Sequence, residues 1–286
     1  MNAGILFGLG AMLAWGTMDL VAAVVCRKIG DYRALFWSQL VGFAILIVAY
    51  FFFGQPIALD KFFYILAGAG IIDIIGYIYF YRGLSVGLVG VVSPISAMFA
   101  AITVLLSVLI LGESITALQV FSIILIVTGC FLVSTDIREF LKFKSSKLAE
   151  GVKEGLIAMV SWGIMATFIA LAVREVGWFM PILVMRVFVI FPFLIFAKVK
   201  KIPLKFTSNK TLVALIAFMA ILDIAGFVAF NMGVSGSQAA IVAPVSAAYP
   251  LISIFLAYFF LKERMVLNQY VGAGIAIAGL VMLSII

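Results

Sequence analysis

Read along the chain, apolar positions do not alternate with polar ones but run together. Ten such runs lie approximately at 4–26, 34–53, 62–81, 88–111, 117–135, 152–173, 178–197, 212–232, 238–260 and 266–285. A bilayer-spanning helix needs about 20 largely apolar residues. The runs use most of the 286 residues and leave only short connections, with no stretch long enough for a water-soluble domain. The pattern predicts an all-α membrane protein with ten transmembrane helices. The opening "MNAGILFGLGAMLAWG" lacks the basic start of a signal peptide and is long enough to span, so it reads as a retained first helix. Composition sharpens this: 66% of residues are hydrophobic and 11% charged, whereas soluble domains average about 25% charged.

The polar interruptions repeat. "AGIIDIIGYIYFYRG" at 69–83 returns as "AILDIAGFVAFNMG" at 220–233. A shift of 150 positions puts Asp73 on Asp223, Gly76 on Gly226, Pro94 on Pro244, Ser96 on Ser246, Glu113 on Glu263 and Gly129 on Gly279. Chance among apolar residues matches Leu with Ile but seldom superimposes Asp, Pro and Glu. In the earlier helices a shift of 147 puts Trp15-Gly16 on Trp162-Gly163, Arg27 on Arg174 and Gln39 on Arg186. Each copy therefore holds five spans, residues 1–136 and 151–286, with 137–150 connecting them. An odd number of spans inserts the second copy upside down. Two inverted five-helix repeats are a common plan of secondary transporters, with the substrate near the bilayer midplane where the copies meet.

Charge decides orientation. Sixteen of the 19 Lys and Arg residues fall in loops on one side, only Lys61 and Arg174 on the other, and Arg186 inside a span. The positive-inside rule places the crowded loops in the cytoplasm of a multi-pass cell-membrane protein and both termini outside. The net charge of +7 sits in these loops and gives no reason to expect a nucleic-acid partner. With no histidine in the chain, a histidine-based metal site or catalytic triad is excluded. Cys26 and Cys130 lie singly in or at the end of apolar runs and imply no disulfide framework. No Walker-type loop is present for ATP-driven pumping, and no cofactor or metal is expected.

The stretches "AMLAWGTMD", "GLSVGLVGVVSPISAMFAAITVLLSVLILGESIT" and "GVSGSQAAIVAPVSAAYPLISIFLAYFFLKERMV" together resemble the drug/metabolite transporter superfamily, more narrowly its ten-helix EamA type. The resemblance covers essentially the whole chain. It implies efflux of amino acids, metabolites or drugs through a central cavity lined mainly by helices 1, 3, 4, 6, 8 and 9. It also suggests cytoplasmic termini, against the charge distribution, which is the guide followed here.

Asp223 shares a helical stripe with Gly226, Phe227 and Phe230, and Asp73 with Gly76, Tyr77 and Phe80. A carboxylate beside glycine and aromatics faces a crowded protein interior rather than lipid. Intramembrane acids face cavities or partners and often relay protons. Asp73 and Asp223 are therefore candidate proton carriers near the pseudo-two-fold axis, with a structural helix–helix tie as the alternative. Arg186, mid-span and opposite Gln39, needs either an internal carboxylate or an anionic substrate group. Asp19, one turn beyond Trp15, has no acidic counterpart, since Ala166 stands in its place. Trp15 and Trp162 are candidate flat cavity walls, and Asn231 is a further polar cavity candidate. Pro94, Ser96, Pro244, Ser246 and Pro250 mark interrupted helices suited to gating. Glu113 and Glu263 read as interfacial salt-bridge formers. "GAGIAIAG" in the last span, with Gly272, Ala276 and Gly279, suits close helix contact within a monomer or in a homodimer.

The expected function is secondary transport of a small metabolite, with protons and membrane lipid as the other partners. Two intramembrane aspartates also invite comparison with intramembrane aspartic enzymes. However, "GAGIID" before Asp73 is not their Gly-x-Gly-Asp arrangement. A channel or lipid flippase on the same fold remains the other alternative.

Overall fold

A segment inside lipid must satisfy every backbone N–H and C=O internally, so the apolar runs have only the helix open to them. The computed structural model describes residues 3–56, 60–86, 89–134, 146–256, 258–259 and 266–285, with side chains for all of these except 89–91, 134 and 146–150. The first half holds α1 (Ala3–Ile29), α2 (Asp31–Phe53), α3 (Lys61–Val86), α4 (Val89–Ala97), α5 (Phe99–Leu111) and α6 (Ala117–Ser134). The second holds α7 (Ser146–Val176), α8 (Phe179–Val199), α9 (Lys210–Gly236), α10 (Ala239–Ser246), α11 (Pro250–Leu256) and α12 (Leu267–Ile285). Among the described residues nine helical stretches are long and apolar enough to cross a bilayer, and Ala117–Val133 is a shorter tenth. The protein is a multi-pass integral membrane protein of two inverted five-helix repeats.

The fourth and ninth spans, expected as interrupted helices, are each broken in the middle. Pro94 lies inside α4, and the chain pivots at Met98, whose N–H donates to both Pro94 O and Ile95 O at 3.3 and 3.2 Å. In the second half, 247–249 form the break and Pro250 opens α11, where its missing N–H costs nothing. The turns after the first helix of each half also match. Gly30 has φ +89° and Gly177 φ +74°. Their amides donate to Cys26 O at 2.9 Å and Val173 O at 3.0 Å. A left-handed residue ending a helix is cheapest as glycine.

The halves interlock rather than sit side by side. α1 packs along α9, α3 along α7, and α6 along α12, each pair crossing from one half to the other. The small-residue face of α12 is filled within the chain. A Cβ on Gly279 would come 2.8 Å from Ser122 O, and one on Gly272 2.7 Å from Leu132 Cβ. Small residues let backbones approach this closely. Basic segments from the two halves also touch. Arg33 donates from Nε and Nη2 to Lys205 O at 2.9 and 2.7 Å. Trp37 Nε1 donates to Leu204 O at 3.2 Å, and Arg82 lies 3.7 Å from Glu154.

Candidate functional site

The two glycines of the repeated stripe make room for the two tryptophans, each from the opposite half. A Cβ on Gly76 of α3 would lie 2.6 Å from Nε1 of Trp162 on α7. A Cβ on Gly226 of α9 would collide with Nε1 of Trp15 on α1. Each indole then packs on the aromatics of its stripe. Trp15 stands 5.6 Å from Phe227 and 5.9 Å from Phe230, ring centre to ring centre. Trp162 stands 5.7 Å from Tyr77 and 4.9 Å from Phe80.

Between the tryptophans lies a cavity of about 530 Å³ of atom-free space. Its walls come in equivalent pairs from the two halves: Trp15 and Trp162, Met18 and Met165, Tyr77 and Phe227. Phe99 and Tyr249 form a further pair, and Asp19 is the repeat counterpart of Ala166. The cavity therefore sits where the repeats meet. Among the described residues two carboxylates face it, Asp19 and Asp223.

Asp223 is fully engaged. Its Oδ2 accepts from Arg186 Nη2 at 2.7 Å and its Oδ1 from the Tyr77 hydroxyl at 2.6 Å. Both members of the ion pair are buried, with side chains 3% and 5% exposed. Burying an ion pair is tolerated when geometry and accessory hydrogen bonds are good, and here Tyr77 from the other half supplies the accessory bond. The Arg186 guanidinium also lies 5.8 Å from the Phe227 ring centre. Arg186 thus takes the internal carboxylate of the two partners open to it. Asp73 is buried beside Trp162, within electrostatic reach of Arg186 and Asp223. Its Oδ1 has no hydrogen-bond partner among the described residues, nor does Arg186 Nη1.

Asp19 belongs to a second network, of hydroxyls, at the helix breaks. Its Oδ2 accepts from Ser93 Oγ at 2.8 Å, and the Ser253 hydroxyl also lies against it. Tyr249 OH is 3.0 Å from Ser96 Oγ and donates to Ser93 O at 3.4 Å. The breaks of both halves thus meet at one acid on α1. Ser253 Oγ also donates to Gly16 O at 3.0 Å. Its equivalent, Thr103 Oγ1, donates to Gly163 O at 3.3 Å.

The remaining candidates are placed as follows. Gln39, Asp73, Arg186 and Asn231 are buried but do not line the cavity. Asn231 Nδ2 donates to Trp178 O at 2.9 Å, tying α9 to the start of α8. Pro94 and Pro244 line a smaller hollow against α6 with Ala97 and Ala247. Ser246 Oγ turns back to Ala243 O at 2.9 Å. Glu113 is buried and forms the expected salt bridge, with Arg174. Its two carboxylate oxygens also accept from Ala239 N at 2.9 Å and Ala240 N at 2.8 Å, capping α10. A carboxylate at a helix N-terminus satisfies free donors and meets the positive end of the dipole. Glu263 lies outside the described residues. Sequence reasoning missed Tyr249 and Ser253; a readable trace was Tyr249 standing where the first copy has Phe99.

Comparison with known proteins follows the same two-part division. The EamA-like transporter family profile matches residues 2–135 and again 151–285. An uncharacterised protein of Methanocaldococcus jannaschii is 29% identical over 136 residues, 47% of this chain and 98% of that protein. A crystal structure superposes over 100% of this chain and 98% of its own, with TM-score 0.79 and 14% identity. That last likeness is one of fold alone.

Proposed function

The chain belongs to the EamA-like transporter family, membrane transporters of small solutes, and we propose that it is a secondary active exporter working by alternating access. Its cargo would be a small metabolite of the size and character of an amino acid or an amphiphilic drug. The observation that carries this reading is the cavity between the repeats, walled by equivalent residues from both. Near-symmetry supports alternating access because each half can adopt the other's conformation. The two halves, 1–136 and 151–286, are the moving bodies, joined through 137–150.

In this reading Trp15 and Trp162 are the walls that grip the cargo, and Asp19, Tyr77 and Asp223 the polar groups that orient it. Gln39 and Asn231 are kept as polar groups of its surroundings. Pro94, Ser96, Pro244, Ser246 and Pro250 are the bends that open and close the path. Asp73 and Asp223 couple transport to protons, at least one of them being protonated in one half of the cycle. The single Arg186 shared between two acids supports this, because releasing Asp223 from Arg186 frees the guanidinium for Asp73. The commitment of Asp223 to Arg186 and Tyr77 also argues against an intramembrane aspartic enzyme, whose two carboxylates must share a water. The basic loops face the cytoplasm and the termini lie outside.

Solute counterflow in proteoliposomes, screened over a metabolite library, is the test. A carrier gives saturable, trans-stimulated exchange, and linear unsaturable flux would instead describe a channel. Asp73→Asn and Asp223→Asn, assayed across pH, test the coupling. Full pH dependence surviving in both would end the proton assignment.

A further inference from the structure

Resting on the carrier reading above, we propose that the cavity selects organic cations, with an ammonium or amidinium head at Asp19 and a flat apolar body between Trp15 and Trp162. The charges that face the cavity decide its preference. Of its two carboxylates, Asp223 is neutralised by Arg186 at 2.7 Å. Asp19 is buried, with 3% of its surface exposed, and its described neighbours are hydroxyls: Ser93 at 2.8 Å, and Ser253. Among the described residues the lining holds no basic side chain. An incoming cation completes Asp19, whereas an incoming anion must first displace Asp223 from Arg186.

The walls favour the same cargo. Seven of the 13 lining residues are aromatic, and aromatic faces attract cations most strongly where water is excluded. Tyr249 lies beside Gly16 on the Asp19 helix, Phe99 beside Gly163 on α7, and Tyr77 packs on Trp162. The asymmetry then sets the direction of the cargo. Asp19 lies on α1, while the equivalent surface of α7 is Ala166 with Ile169 one turn on. The head therefore settles against α1 and the apolar end against α7. A zwitterionic amino acid meets only half of this arrangement, since its carboxylate finds no free cation there.

Binding, not transport, is the direct readout, so its result stands apart from that of the counterflow screen. Purified full-length protein is titrated calorimetrically with benzyltrimethylammonium, phenylacetate and phenylalanine. The ammonium should bind, and at least ~10-fold more tightly than the other two. Asp19→Asn, which keeps an acceptor for Ser93, should weaken it by at least ~10-fold, and Asp19→Glu should restore most of the loss. Monodispersity and an unchanged melting temperature certify the folding of each variant. No binding of benzyltrimethylammonium, equal affinity in Asp19→Asn, or tighter binding of phenylacetate or phenylalanine overturns the assignment. A failed counterflow screen with cation binding intact would sink the carrier reading instead.

Discussion

Replacing Arg186 with methionine removes the only positive charge within 4 Å of Asp223 among the described residues and leaves a carboxylate 5% exposed. Two unit charges about 4 Å apart at an effective dielectric of 20 attract by about 4 kcal/mol. Removing one partner of a buried pair typically destabilises by about 3–5 kcal/mol, because the survivor keeps its desolvation cost. At roughly 2–4 °C per kcal/mol, Arg186→Met should melt about 6–20 °C below the parent protein. The double variant Arg186→Met/Asp223→Asn removes both charges while the Asn oxygen can still accept from Tyr77. It should recover most of the loss, because well-packed neutral replacements of a buried pair are often near neutral. Cys26 and Cys130 are both buried, so a thiol-reactive dye reports unfolding in detergent. Transport should be lost in both variants, separating stability from function. An Arg186→Met melting temperature within a degree or two of the parent, or a double variant no better than the single, refutes this account of the pair.

Three other outcomes follow from the packing. Gly226→Ala drives a methyl into Trp15 and should cost ~1–3 kcal/mol, visible as a lower melting temperature that Trp15→Phe partly restores. Glu113→Ala uncaps α10 and leaves Arg174 unpaired. It should destabilise by roughly 1–2 kcal/mol, with Glu113→Gln intermediate because its one carbonyl oxygen still accepts. Lys28→Cys and Glu175→Cys occupy equivalent exposed positions at the ends of α1 and α7. An impermeant maleimide added outside intact cells should therefore label one of them and not the other, in a background without Cys26 and Cys130.

Much of the fold could be read from the chain because the bilayer leaves an apolar run few choices and because the repeat announced itself in polar residues. The match of Asp73 with Asp223, and of Trp15 with Trp162, located four residues that meet around the cavity or directly beside it. What escaped the reading depends on contacts between distant segments. The helix breaks bring Ser93 to Asp19 and set Ser96 and Tyr249 behind Ser93, and periodicity within one helix contains no trace of that meeting. Glu113 could be read as a salt-bridge former because it ends an apolar run; only the fold brings Arg174 and the start of α10 to it. Arg186 had two carboxylates within reason, and the choice of Asp223 follows from the packing of α8 and α9 with Tyr77 reaching over from α3. The small-residue face of α12 was equally suited to a second copy of the chain, and α6 covers it.

The most direct test of alternating access uses Ala166, which lines the cavity as the repeat counterpart of Asp19. In a protein lacking Cys26 and Cys130, Ala166→Cys is exposed to a membrane-impermeant thiosulfonate from the outside of oriented proteoliposomes and, separately, from the inside. The carrier account predicts modification from each face, slowed from both by a bound cargo. Modification from one face alone, however long the exposure, would contradict it.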